Sequence, residues 1–269
     1  MTGLAAVPDR TLVDRALEFL VGGPRSSREL AQGVLGMPNT PDAVADRLAA
    51  ALLGSDPRVR KLDDGRWAGV ASAGQSPMLD EVAFAVLDVE TTGTRPSDDD
   101  RVTDVAVVLV QGTRRELVFE SLVDPGRPIP SYITAMTGIS DAMVAGAPTF
   151  DRIADELLGV LSGRVFTAHN ARFDWGFIDA EVKRARGLAL VGSRMCTVKL
   201  ARALLPELPS RGLDAMQEHF RIPNTARHRA RGDALATAEL LGRLLEMAHE
   251  RNCRTLADVE AMIQMGRKR

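Results

Sequence analysis

The sequence predicts an α/β domain with a mixed sheet flanked by helices, preceded by a smaller, mainly helical domain. After about residue 80, apolar strand-like segments come first and amphipathic helical segments then alternate with a short strand, as in α/β domains. The stretch Ala71–Pro77 is small and polar and contains Gly, Ser and Pro, which is typical of a linker. We therefore expect an N-terminal domain with its linker at 1–76, an α/β domain at 77–250 and a C-terminal helical tail at 251–269.

The region before the linker has the pattern of three helices followed by a β-hairpin. Ser26 and Glu29 have capping-box spacing at the start of the second helix, and Val59–Val70 predicts two short strands around an Asp-Gly turn. This order loosely resembles a winged helix-turn-helix domain. Residues 1–75 contain nine acidic and nine basic side chains, whereas a DNA-reading domain usually carries a basic face. Contact with DNA and contact with a polymerase or repair protein both remain open for this domain.

In the second region, strand patterns precede helix patterns. Glu81–Asp88 is an apolar run that predicts a buried central strand, and Val102–Val110 and Leu117–Val123 predict a hairpin. Arg164–Ala168 predicts another short strand, which is followed by a helix from Asp174 to Arg186. Further helices are predicted at Met195–Leu205, Leu213–Phe220 and Asp233–Ala248, and Thr255 with Asp258 is expected to cap a last one.

The composition excludes several classes of protein. Apolar residues make up 45% and charged residues 26% of the chain, as in soluble globular proteins. No apolar run approaches the roughly 20 residues of a membrane span, and no signal-peptide pattern opens the chain, so we expect a cytoplasmic protein without a membrane partner. A net charge of −2 argues against nucleic-acid binding by bulk charge. Cys196 and Cys253 lack zinc-ligand spacing and are expected to be buried thiols.

The first chemical motif is Asp88-Val-Glu90-Thr-Thr-Gly93, at the end of the predicted central strand. Residues i and i+2 of a strand face the same side, so the two carboxylates share one face. The carboxyl end of a buried strand is also where open α/β sheets place their ligands. The alternative interpretation is a solvated strand end with two unrelated acids.

The second motif is His169-Asn-Ala-Arg-Phe-Asp174, between a short strand and a helix. Asp174 falls in the first helical turn, which is a favourable place for a carboxylate. Phe173 and Phe177 are spaced to form an apolar contact on the helix. Simple helix capping by Asn170 or Asp174 is the alternative interpretation.

The third motif is His228-Arg-Ala-Arg-Gly-Asp233. Gly232 allows the backbone to turn closely before the helix that Asp233 enters, and His228 stays on the preceding loop. An exposed basic loop is the alternative interpretation, because arginines crowd this segment. The two interpretations are compatible, since a basic loop beside a carboxylate site would attract phosphate.

Together the three motifs resemble, in order and spacing, those of the DEDDh exonucleases, the family that includes the proofreading epsilon subunit of bacterial replicative polymerase. The resemblance covers about residues 80–248 and implies a ribonuclease-H-like fold with two divalent ions in the site. The matching positions are Asp88, Glu90, Asp174, His228 and Asp233.

The resemblance also implies a role for each of these residues. Asp88 would bridge both ions, Glu90 and Asp233 would complete the first metal site, and Asp174 would support the second. His228 would deprotonate the attacking water, for which a histidine is suited because it titrates near neutrality. Carboxylate oxygens without a cysteine cluster favour Mg²⁺ or Mn²⁺ over zinc.

Five further residues are expected on the substrate side of the site. The family pattern implies that the Thr91 region and Met136 or Ile139 hold the terminal nucleotide, and the other two residues position the loop that carries the second motif. The first three are Thr91, Met136 and Ile139, and the other two are His169 and Asn170.

The function expected from these motifs is metal-dependent 3′→5′ hydrolysis of DNA to nucleoside 5′-monophosphates, in repair or proofreading. The expected partners are single-stranded DNA or DNA 3′ ends. An exoribonuclease acting on RNA is one alternative, because sugar choice depends on contacts with the 2′-hydroxyl that no short motif records. A catalytically idle nucleic-acid or protein-binding module is the alternative from another class.

Overall fold

The computed structural model describes residues 3–8, 11–21, 23–56, 58–69 and 76–266. The chain forms two compact units, Val7–Gln75 and Ser76–Arg269, and the second unit also includes Thr2–Ala6. Most of the predicted linker, residues 71–75, lies outside the described residues, as does the end of the predicted tail, 267–269. The first strand, β1 (Ala5–Pro8), begins in the second unit.

The first unit has the predicted order of three helices and a hairpin. Its core centres on Leu30, Leu53 and Trp67, and the indole Nε1 of Trp67 donates to the Ser27 hydroxyl at 3.1 Å. The winged-helix resemblance of this unit stays a prediction. Its elements are α1 (Leu12–Val21), α2 (Ser27–Leu35), α3 (Asp42–Leu53), β2 (Val59–Lys61) and β3 (Trp67–Gly69).

The capping box predicted at the start of α2 is confirmed. The Glu29 amide donates to the Ser26 hydroxyl at 3.2 Å, and the Ser26 amide donates to a Glu29 carboxylate oxygen at 2.8 Å. Two otherwise unpaired amides of the first turn are thereby satisfied.

The second unit is built around a mixed sheet in the order β6-β5-β4-β7-β9. Its strands are β4 (Phe84–Thr91), β5 (Val102–Gln111), β6 (Arg114–Leu122), β7 (Val165–Ala168), β8 (Leu188–Val191) and β9 (Arg194–Cys196). Strand β8 pairs with β1, outside the main sheet. Strand β5 is antiparallel to both of its neighbours, β4 and β6, whereas β4, β7 and β9 are parallel to one another. The carboxyl ends of β4, β7 and β9 therefore meet at one edge of the sheet.

Helices cover both faces of this sheet. They are α4 (Ser131–Thr137), α5 (Asp141–Val144), α6 (Phe150–Leu161), α7 (Arg172–Arg186), α8 (Thr197–Leu204), α9 (Leu213–Phe220), α10 (Ala230–Glu250) and α11 (Leu256–Gly266). The predicted mixed sheet flanked by helices is confirmed.

The alternation of side chains along β4 assigns each residue to one of the two cores. Phe84 and Val86 pack in the core that contains the apolar residues of α8, α9 and α10. Leu87 and Val89 pack in the core of α6 and α7. Because side chains alternate along a strand, Asp88 continues the face of Phe84 and Val86. The acidic end of β4 is therefore directed to the side of the sheet that α10 covers.

The single helix predicted at Met195–Leu205 is wrong at its start. Met195 and Cys196 belong to β9, where they pair with Thr167 and Ala168 of β7, and the helix begins only at Thr197. Both residues are buried at the sheet edge, so pairing with β7 satisfies backbone groups that burial would otherwise leave unpaired.

A buried ion pair ties β5 to α7. The Arg101 guanidinium donates to both oxygens of Glu181, at 2.7 and 2.9 Å, and Glu181 is only 1% exposed. We expect Arg101→Ala to lower the free energy of unfolding by about 3 kcal/mol, because it leaves a buried carboxylate without its main counter-charge. The matched control is Arg186→Ala, which breaks an exposed pair with Asp155 and should cost about 1 kcal/mol or less. Urea unfolding measures both losses, and equal losses would contradict the assignment.

Candidate active site

Three carboxylates converge beyond the end of β4. Oxygens of Asp88, Glu90 and Asp233 all lie within 4.8 Å of one another. Two come from the same face of β4, and the third comes from the first turn of α10. Gly232 permits this approach, because a Cβ atom there would lie 2.1 Å from the carbonyl oxygen of Ala226. Any larger residue would push the start of α10 away from the loop before it.

Asp174 is the fourth carboxylate of the cluster. It lies in the first turn of α7 and is 3% exposed. Burial raises its pKa to about 8, although a hydrogen bond from the Val89 backbone opposes the rise. The predicted contact of Phe173 with Phe177, whose ring centroids are 4.9 Å apart, braces the same turn. The Asp174 carboxylate thus lies against the β4 backbone at Val89, between Asp88 and Glu90.

The electrostatics of the cluster are those of crowded, buried acids. The pKa of Asp88 is raised well above its usual range, first by burial and then by the charges of Asp174, Glu90 and Asp233. Burial also raises the pKa of Glu90 to about 8, and the charge of Asp233 adds to it. Among the described residues, no side chain forms a hydrogen bond with the Asp88 carboxylate. A divalent cation fits this donor set, because it would neutralise the mutual repulsion and prefers carboxylate oxygens.

His228 lies on the loop that leads into α10. Its side chain is exposed and its backbone has a φ of 56°, in the left-handed region. Its amide donates to one oxygen of Asp233 at 3.0 Å, while the Asn224 side chain donates to the other oxygen at 2.6 Å. The cluster and the histidine are therefore linked through Asp233. Asn224 was missed by the sequence analysis, because nothing in its spacing from Asp233 indicates the contact.

A fifth acid, Asp104, adjoins the cluster and was also missed. It lies directly opposite Glu90 in the β4–β5 register and is 5% exposed. Its carboxylate accepts from Arg229 Nε at 2.9 Å. The signal that could have found it is an acid within the otherwise apolar segment Val102–Val110, because a buried charge needs a partner.

The loop that carries the second motif is held by a contact with the start of α8. His169 Nδ1 lies 2.8 Å from the Thr197 hydroxyl at the start of α8, and Asn170 adopts a left-handed φ of 72°. Burial lowers the pKa of His169 to about 4. Both residues lie where a positioning role was expected.

The three residues expected at the terminal nucleotide are in different environments. The buried Thr91 hydroxyl donates to the carbonyl of Gly93 at 2.5 Å and so closes the turn after β4. Met136 is 51% exposed on α4, whereas Ile139 is completely buried and packs with Ile133. Of the two apolar side chains, only that of Met136 presents surface to a ligand.

Protonation of His169 should make the protein less stable in mild acid. Its folded pKa of about 4 lies below the value near 6.5 of an unfolded chain. The unfolded state therefore binds more protons between these values, and stability falls as pH drops from 6.5 to 4. We expect His169→Asn, which keeps a donor near Thr197, to flatten this part of the profile. Urea unfolding of both metal-free proteins across this pH range checks it, and parallel profiles would count against it.

Both cysteines are buried and free, as predicted. Among the described residues, no helix combines the length and apolar content that crossing a membrane requires.

The sheet edge that gathers acids from β4, α7 and α10 supplies the carboxylate oxygens that divalent-metal sites use. A family model, the RNase T exonuclease model, matches residues 85–241. The chain belongs to this exonuclease family.

The curated relatives that the chain matches are longer than the region they share with it. The chain is 33% identical over 190 residues to a PolC-type DNA polymerase III of Caldanaerobacter subterraneus, covering 71% of the chain and 13% of that protein. It is 31% identical over 187 residues to the 3′-5′ exonuclease DinG of Bacillus subtilis, covering 69% and 20%. It is 36% identical over 163 residues to the DNA polymerase III epsilon subunit of Aquifex aeolicus, covering 61% and 80%. The chain thus spans a small part of the first two and most of the third.

Solved structures share the fold. Exonuclease X in complex with 5′ overhanging duplex DNA matches with a TM-score of 0.55 at 24% identity, covering 67% of this chain and 99% of that one. Cell-death related nuclease 4 matches with a TM-score of 0.51 at 20% identity, covering 62% and 65%.

Proposed function

We propose that this chain removes nucleotides from DNA 3′ ends as a divalent-metal-dependent exonuclease and releases nucleoside 5′-monophosphates. The observation that carries the proposal is the convergence of Asp88, Glu90 and Asp233 within 4.8 Å, with Asp174 buried beside them. The family match supports the same reaction class. Repair or proofreading is the setting that this reaction suits.

The four acids are the proposed metal-holding residues. Asp88, Glu90 and Asp233 share one cluster, and Asp174 extends it from α7. All donors are carboxylate oxygens, which favours Mg²⁺ or Mn²⁺. When bound, two such ions would polarise the scissile phosphate and lower the pKa of the attacking water.

Other residues of the site accept the proton of the attacking water and contact the DNA strand. His228, exposed beside Asp233, takes the proton of the attacking water. Met136, which is 51% exposed, offers an apolar surface to the terminal nucleotide. His169, Asn170 and Thr91 hold the loops around it.

DNA is the proposed substrate because the PolC-type and epsilon relatives carry DNA polymerase III in their names. The test is a panel of 5′-labelled single-stranded DNA and RNA of one sequence, incubated with magnesium or manganese. We expect shortening of DNA from the 3′ end at least about tenfold faster than RNA. Faster RNA shortening would assign the chain to exoribonucleases, and metal-independent binding without turnover would make it a binding module.

For the first unit we propose a protein partner, such as a polymerase or repair protein. Two cations at its hairpin are paired with its own acids, since Arg58 pairs with Asp56 and Arg66 pairs with Asp64. These pairs reduce the positive charge that the hairpin offers to phosphate. If deletion of residues 1–75 weakens binding of long DNA while leaving short substrates unaffected, this assignment is wrong and the unit contacts DNA.

A further inference from the structure

A buried acid outside the carboxylate cluster has its own partner. Asp104 is 5% exposed in β5, opposite Glu90 of β4. Its Oδ2 atom accepts from Arg229 Nε at 2.9 Å and from the Ala230 amide at 3.3 Å. This oxygen is thus committed to the loop before α10, and Asp104 is not among the three acids whose oxygens converge.

The two contacts attach the start of α10 to the sheet. The N-cap residue of α10 is Arg229, which makes no capping bond through its own side chain. The amides of a first helical turn need outside acceptors, and Asp104 supplies one of them from β5. Both bonds are charge-assisted, and the Asp104–Arg229 bond is the stronger part of the attachment because it is shorter and both of its partners are charged.

His228 immediately precedes the attached residue. Its ring is exposed and its backbone is held in the left-handed region, which is unfavourable for a residue other than glycine. The hydrogen bond from the His228 backbone amide to Asp233 holds His228 at only one atom. The Arg229 attachment supplies the second point, so the direction of the His228 side chain depends on it.

From this geometry we infer that Asp104 is a positioning residue for His228, acting through Arg229. The inference rests on the proposed function, in which His228 takes a proton from water. A residue that only stabilised the fold could make the same contacts as Asp104. The two roles differ in whether the kcat losses of the Asp104 and His228 variants multiply in the double variant.

The test is a double-mutant cycle with steady-state kinetics on 5′-labelled DNA. Asp104→Ala should lower kcat about 100-fold, because small misplacement of a catalytic group costs this much, with KM nearly unchanged. In the His228→Ala background the same change should cost about threefold or less, because the residue it positions is already gone. Losses that multiply in the double variant would overturn the inference, and so would an unchanged kcat.

Asp104→Asn removes the charge of Asp104 and keeps its size, so it separates loss of the charge from misfolding of Asp104→Ala. Asparagine can still accept from the Ala230 amide but loses the ion pair with Arg229, so we expect an intermediate loss of kcat, about tenfold. Mn²⁺ affinity, measured by electron paramagnetic resonance, should stay within about threefold, because Asp104 is not a metal ligand. A larger loss of affinity would overturn the positioning role. Asp155→Asn, which breaks the exposed pair with Arg186, is the matched control and should keep full activity.

Hydrogen exchange separates this inference from the proposed function. In Asp104→Asn, the amides of residues 228–231 should exchange at least about tenfold faster, as expected from loss of a hydrogen bond to a charged group. Unchanged exchange would overturn the attachment even if activity fell. If the wild-type protein hydrolysed no DNA while exchange changed as expected, the proposed function would fail and the catalytic role of Asp104 with it, but the attachment would stand.

Discussion

The Asp88→Asn variant should lose at least about 10³-fold in kcat/KM on single-stranded DNA and yet be more stable than the wild-type protein without metal. Asp88 lies in the cluster, where its charge is opposed by burial and by the charges of four acids, Asp174, Glu90, Asp233 and Asp104. Loss of metal-based stabilisation of the transition state removes several kcal/mol, and each 1.4 kcal/mol is about tenfold in rate. Removing a repelling charge from the same place should raise the unfolding free energy by about 1 kcal/mol.

Both effects can be measured on the same preparations. Release of mononucleotides in magnesium gives the activity, and thermal unfolding in EDTA gives the stability. The matched control is Asp80→Asn, the same chemical change at an exposed position before β4, which should alter neither. A variant that keeps its activity, or that is clearly less stable than the wild type without metal, would show that Asp88 is not a crowded metal ligand.

The His228→Ala variant should lower kcat by about 10²- to 10⁴-fold, the range for a general base, while KM changes little. A residue that acts only in the transition state lowers kcat and kcat/KM together. Mn²⁺ affinity should be retained, because the four carboxylates remain in place. Single-turnover kinetics on 5′-labelled DNA provide the measurement.

His249→Ala is the matched control for this loss. His249 lies near the end of α10, about 24 Å along the helix from Asp233, and is engaged with Arg254. It should retain wild-type kcat. Equal losses in the two variants, or loss of metal binding in His228→Ala, would remove His228 from the role of base.

Only part of the grouping of the acids could be predicted from short-range geometry, and the convergence of all four was implied by the resemblance to the DEDDh exonucleases. The strand period places Asp88 and Glu90 on one face, and the start of a helix favours the acids Asp174 and Asp233. The contacts that support these acids and the loop before α10 join residues that are distant in sequence. Asp104 meets Arg229 across 125 residues, and only the strand register and the path of the loop bring them together.

Two other departures have the same origin. Met195 and Cys196 were expected to begin a helix, but pairing with β7 makes them part of an edge strand. Ile139 was expected at the nucleotide, but it fills the small core with Ile133 and Val144. In both cases a tertiary contact decides the role of a side chain that its local pattern leaves open.

The most direct test of the central claim is a time course of purified full-length protein on single-stranded DNA labelled at its 5′ end. With magnesium or manganese, the account predicts a ladder of labelled products that shorten one nucleotide at a time from the 3′ end. EDTA or Asp88→Asn should leave the DNA intact. Release of the labelled 5′ nucleotide at the outset, internal cleavage, or undiminished degradation in EDTA would contradict it.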